Sequence, residues 1–204
     1  MPCALVLLRR AVDFDGNFGV RWYLAALLLT PFVCVTEYAV LQLTGADLPA
    51  PRITPGESLS AFLIFFVGAI GEEVGWQGYA YPALRTRRNT LEAAVILAVV
   101  WALWHVVPFV QMGRSADWIV WHCLSTVALR VIIVWLFVNT HGSVLIASLF
   151  HTMVNLAWAL FPDHGSHYDP FIAFLILMLV SGLIIACWHP QTESDEGVPH
   201  GRNR

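Results

Sequence analysis

Long apolar runs broken by short polar stretches set the pattern of this chain. A helix that crosses a membrane needs about 20 mostly apolar residues, and about six runs approach that length. Trp22 to Leu43 is the first, ended by the proline-bearing stretch from Thr44 to Glu57. Ser58 to Ile70 runs straight into Gly71-Glu72-Glu73 and continues to Leu84, where Arg85-Thr86-Arg87-Arg88-Asn89 closes it. Leu91 to Val107 follows and is expected to stop at Pro108, because proline interrupts the helical hydrogen-bond ladder. Trp118 to Val138, Ser143 to Leu160 and Phe171 to Trp188 complete the series, with a polar connection from Pro162 to Pro170. No repeat and no second domain is visible. The pattern predicts an all-α integral membrane protein, a bundle of about six transmembrane helices over residues 22–188. Residues 1–21 read as an N-terminal segment, the remnant of an upstream helix, and residues 189–204 as a polar, disordered tail.

Composition strengthens this. The chain is 58% hydrophobic and 12% charged, where a soluble domain carries about 25% charged residues. So few charges cannot cover a water-facing surface, and lipid is the partner that remains. A net charge of −3 without a basic tract excludes a nucleic-acid partner. All basic residues are arginine. Arg9, Arg10 and Arg21 precede the first span and Arg85, Arg87 and Arg88 follow the second, against single arginines, Arg52 and Arg114, on the other side. The positive-inside rule then places both termini in the cytoplasm. Cys3, Cys34, Cys123 and Cys187 have no paired spacing and read as small hydrophobes.

Against this background the ionisable residues inside apolar runs stand out: Glu37, Glu72, Glu73, His105, His122, Arg130 and His151, with the amide Asn155. Such a side chain costs roughly 2.5–3.5 kcal/mol on insertion scales and marks a bundle interior or a functional site. Neighbouring helical residues point about 100° apart, so Glu72 and Glu73 serve different partners. Gln77 is four residues beyond Glu73, on the same face, and is expected to hydrogen-bond it. Glu72 is left to meet another helix. Gly71, Gly75 and Gly78 permit either close helix approach or substrate access. His105, in Trp101-Ala102-Leu103-Trp104-His105, would alone read as an interfacial residue. His151 and Asn155 share a helix face and alone would read as an interhelical hydrogen bond. Three apolar helices each bringing acid, imidazole or amide groups to one interior make a polar site the better account. Arg130 shares a face with His122, and Glu37 is expected to pair with Arg130 as a structural ion pair. His141, His164, His167, His189 and His200 fall in connections or the tail and read as solvated.

The motif Glu72-Glu73-Val74-Gly75-Trp76-Gln77 resembles the Glu-Glu-x-x-x-Arg signature of the CPBP family of intramembrane proteases. That family includes CaaX prenyl endopeptidases of the Rce1 type and the bacterial Abi group. Trp101 to His105 resembles its Phe-x-x-x-His motif, and His151-Thr152-Met153-Val154-Asn155 its His-x-x-x-Asn motif, in the family's order. The resemblance covers roughly Arg21 to Trp158. Gln77 stands where the family has arginine, which turns an ion pair to Glu73 into a neutral hydrogen bond, and Trp101 stands for phenylalanine.

The resemblance implies peptide hydrolysis in a bacterial cytoplasmic membrane, on a substrate with a membrane-embedded or membrane-proximal C-terminal region. It implies Glu72 as general base, His105 as holder of the water, His151 and Asn155 as oxyanion donors, and Glu73 steadied by Gln77. Glu72, His105 and His151 also form a reasonable zinc ligand set, although hydrolysis by Glu72 and His105 requires no metal. Two other functions compete: a catalytically weak relative acting in bacteriocin immunity or binding, and a proton-coupled transporter. A transporter commonly shows an internal repeat, which is absent here.

Overall fold

The computed structural model describes residues 19–187 of the chain. The expected N-terminal segment, apart from its last residues, and the expected polar tail lie outside the described residues. Every regular element among the described residues is helical. They are α1 (Val20–Leu43), α2 (Pro55–Gly75), a π-helical stretch (Trp76–Ala80), α3 (Tyr81–Arg85), α4 (Thr90–Gln111), α5 (Ala116–Asn139), α6 (Val144–Leu160) and α7 (Pro170–Cys187).

Local sequence fixes most of the starts. Thr54 caps α2 by accepting from the Glu57 amide, with Pro55 at the first helical position. Asn89 and Glu92 form a reciprocal capping box at α4. Ser115 and Ser143 cap α5 and α6 by accepting from Trp118 and Ile146. Each small polar side chain satisfies an amide that the first turn leaves unpaired.

Five helices are long and apolar enough to cross a membrane: α1, the continuous Pro55–Arg85 unit, α4, α5 and α7. The sixth, α6, has only 17 residues, about 26 Å of helix. It is packed among the others, with Val144, Ile146, Ala147, Phe150 and Thr152 fully buried. The protein is an integral membrane protein, and this 17-residue helix is an inner one.

Pro108 does not end α4, contrary to expectation; the helix continues to Gln111. Pro31 is likewise carried inside α1. Proline interrupts one backbone bond, and within a bundle the neighbouring turns keep the helix going. At the same end of the bundle as Pro108, the 161–169 connection folds back under α6. Gly165 makes this turn at φ 71°, where a Cβ would lie 2.8 Å from the Trp158 carbonyl oxygen. Only glycine accepts both that conformation and that approach. The Arg52 amide donates to the Pro162 carbonyl at 2.8 Å, which ties this connection to the loop between α1 and α2.

The main core lies between α5 and α6, around Ile132, Ile133, Leu136, Ile146 and Phe150, with Ala26 and Val33 of α1 against it. The polar site is set into this core.

Candidate active site

The acidic pair sits on the last turn of α2, immediately before the π-helical stretch. The Trp76 amide is shared between the Glu72 and Glu73 carbonyls, and the Tyr81 amide reaches back to the Trp76 carbonyl. One residue is thereby inserted into the helical register, a device frequent at functional sites. The two carboxylates diverge as helical geometry requires. Glu73 is fully buried, whereas Glu72 is exposed at the protein surface, so the expected burial of both acids holds only for the second. A Cβ on Gly71 or Gly75 would meet nothing within 4 Å. Those glycines leave open space beside Glu72 and do not serve close helix approach.

Glu73 does not take its partner from Gln77. Arg130 Nη1 of α5 donates to both Glu73 oxygens, at 2.9 and 2.7 Å, with both side chains wholly buried. His151 Nδ1 of α6 lies 2.8 Å from Glu73 Oε1. Gln77 is buried with no hydrogen-bond partner on its amide nitrogen or oxygen. The expected neutral Gln77–Glu73 bond is therefore replaced by an ion pair whose cation comes from a different helix. A buried carboxylate needs such compensation, and a guanidinium supplies it better than an amide.

The expected Glu37–Arg130 pair is absent for a reason of depth. From the end of the bundle that holds the 44–54 loop, 1.5 Å per residue puts Glu37 at about 9 Å and Arg130 at about 21 Å. Glu73 is at about 27 Å on the same scale, closer to the level of Arg130. Glu37 instead accepts the Asp169 amide at 2.7 Å and pins the 161–169 connection to α1. Arg130 thus belongs to the site. A single arginine in the middle of an apolar run was its signal in the sequence, and the depth comparison would have chosen its partner.

Trp101 of α4 joins the remaining groups. Its indole Nε1–H donates to Glu72 Oε2 at 3.1 Å. The Arg130 guanidinium carbon lies 3.9 Å from the centroid of its ring, a cation–π contact. The rings of His105 and His151 meet it edge-on, each at 5.1 Å. The carbonyl of Trp101 is 2.7 Å from His105 Nδ1. A carbonyl only accepts, so Nδ1 of His105 carries a proton and the neutral ring keeps its lone pair on Nε2. The same reasoning at His151, whose Nδ1 faces a carboxylate, leaves Nε2 as its open nitrogen.

Behind Trp101 the helices enclose a cavity of about 230 Å³. His105 and Asn155 line it, as do Phe109, Trp158 and Tyr168. Trp101 stands between this cavity and exposed Glu72. Glu72, His105 and His151 do not converge as metal ligands: no group of three His, Cys, Asp or Glu side chains able to hold a metal ion occurs among the described residues. Glu73, not Glu72, is the carboxylate beside His151.

The family model for type II CAAX prenyl endopeptidases, Rce1-like, matches residues 54–157. The chain belongs to this family. The match runs from the cap of α2 to the last turns of α6 and so contains each residue of the site. A relative named CAAX prenyl protease 2, from Methanococcus maripaludis, is 26% identical over 143 residues, which cover 63% of this chain and 52% of the relative. The chain thus spans about half the length of that relative. Within the Rce1-like family, this chain couples its second glutamate to Arg130 and its first to an indole.

Proposed function

We propose that the protein is an intramembrane endopeptidase that hydrolyses a peptide bond of a membrane-associated substrate with water activated by Glu72 and His105. The observation that carries this reading is the pair of open acceptors around Trp101. Glu72 is oriented by the indole N–H and His105 has Nδ1 tied down, with Nε2 free. A water at the edge of Trp101 can give one hydrogen bond to each acceptor. Glu72 takes one proton as the water oxygen attacks the scissile carbonyl. The proton then passes from the Glu72 carboxylic acid to the departing amine as the tetrahedral intermediate collapses.

Asn155 and His151 serve the oxyanion. The Asn155 amide lines the cavity and donates directly. His151 donates through Nε2 when its ring is protonated, and the Glu73 carboxylate 2.8 Å from Nδ1 stabilises that imidazolium. Arg130 keeps Glu73 ionised and in place. The open space flanking Glu72 admits the substrate backbone, and the cavity behind Trp101 takes a flanking side chain. No step passes through a metal ion. The arginine distribution supports cytoplasmic termini. The name of the Methanococcus relative supports a peptide bond near a membrane-held C-terminus as the target.

The test uses purified full-length chain in lipid nanodiscs, a mixed peptide pool and mass spectrometry of the products. Wild type is expected to yield defined cleavages that Glu72→Gln and His105→Ala abolish, while Asn155→Ala slows them by about 10²–10³-fold. Cleavage that persists unchanged in Glu72→Gln would remove the basis for the proposal.

A further inference from the structure

We infer that the far end of the cavity is a subsite for a cationic side chain of the substrate, an ammonium or guanidinium group received by Glu37 beside Trp158 and Tyr168. This rests on the proteolytic reading and names the substrate class it favours. Glu37 lines the cavity and is only 4% exposed. Its one hydrogen bond is the 2.7 Å contact from the Asp169 amide to Oε1. No arginine or histidine lies within ion-pair distance of it among the described residues, and the chain contains no lysine. A carboxylate buried without a cation is costly, and a guest that brings the cation removes the cost.

The walls fit the same guest. Phe109 and Trp158 meet at 6.3 Å with their planes 89° apart, and Trp158 and Tyr168 at 6.0 Å and 68°. All three rings also pack on His122, at 4.5, 5.6 and 5.7 Å, so they wall this end with aromatic surface and Glu37 is the group left to receive a cation there. Between this end and His105 the lining is mainly apolar, through Val33, Leu129 and Val154, with His122 and Thr126 among them. An apolar stem with a charged tip, the form of lysine and arginine, matches that order. The distance to the reacting groups is short. Phe109 stacks on His105 at 5.9 Å, and Trp158 is one turn beyond Asn155 on α6. His105 and Glu37 line the same cavity, and that shared wall connects the subsite to the reacting groups.

Glu37 also pins the 161–169 connection, and the test must separate the two roles. Glu37→Gln keeps an oxygen for the Asp169 amide and removes only the charge. Peptides cleaved by wild type are resynthesised with lysine or norleucine at each position flanking the bond. At one position wild type is expected to prefer lysine by at least about tenfold in kcat/KM, through KM, and Glu37→Gln is expected to bring that ratio to about one. Equal use of lysine and norleucine by wild type at every position, or a preference that survives Glu37→Gln, would overturn the inference. A second measurement needs neither a variant nor turnover. n-Butylammonium is expected to raise the thermal midpoint of wild type more than n-butanol does, and equal shifts would also overturn it. If Glu72→Gln still cleaves, the proteolytic reading fails while the binding comparison still decides the subsite.

Discussion

Arg130 of α5 and Glu73 of α2, 57 residues apart in the chain, meet at 2.7 Å with no exposed surface on either side chain. The contact closes the bundle across its middle and charges the carboxylate that holds His151. It also explains how Gln77 can stand four residues from Glu73 without leaving that acid unpaired. The guanidinium comes from another helix.

Arg130→Met is expected to destabilise the protein by about 3–5 kcal/mol, since it strands a buried carboxylate. The double variant Arg130→Met with Glu73→Leu should recover most of that loss and stay inactive. Thermal unfolding in nanodiscs checks the first part and peptide cleavage the second. Adding Gln77→Arg to Arg130→Met should restore part of both, because residue 77 shares the Glu73 face. In the wild-type background Gln77→Arg should lower stability, as it buries a second cation beside an acid already paired. A stabilised single Gln77→Arg would contradict this account of the pair.

Trp101→Phe keeps an aromatic ring under Arg130 but removes the donor to Glu72. A hydrogen bond to a charged group is worth about 1.5–3 kcal/mol, so kcat should fall by roughly tenfold or more with KM nearly unchanged. Trp101→Ala should in addition lower the thermal midpoint, since the guanidinium and both imidazoles lose their common surface. Equal kcat for wild type and Trp101→Phe would show that the indole N–H does not position the base.

The proposed mechanism activates water with Glu72 and His105 alone, so on it cleavage should survive prolonged dialysis against a chelator, with no stoichiometric zinc found by elemental analysis. Activity lost on chelation and regained with zinc alone would require a metal-bound water instead.

His164, on the exposed 161–169 connection, lies 2.7 Å from Asp163 Oδ1. The hydrogen bond that its ring N–H donates to Asp163, then the charges of Asp163 and Glu57, hold its imidazole above the ordinary value of 6.5. A raised folded value means that any stabilisation is complete below 6.5 and fades as the pH rises through the folded value. Nuclear magnetic resonance titration should find His164 changing charge above 6.5 and shifted down in Asp163→Asn. The melting temperature should barely move, since the site is open to solvent.

The sequence by itself determined the membrane class, the helices and where most of them start. Apolar length and small capping residues are local quantities, and they act before any helix meets another. It also marked the ionisable residues inside the apolar runs, Arg130 among them, because such a group is rare at any depth. What only the tertiary structure decided was who pairs with whom. The sequence offered Glu37 to Arg130 and Gln77 to Glu73, whereas Arg130 meets Glu73; that choice depended on depth across the bundle, which the loops set together with each helix's height. Glu72 and Glu73 are adjacent letters, yet the helical turn sends one to the surface and an indole, the other to the core and a guanidinium. The cavity behind Trp101 belongs to no single helix, so no stretch of sequence could announce it.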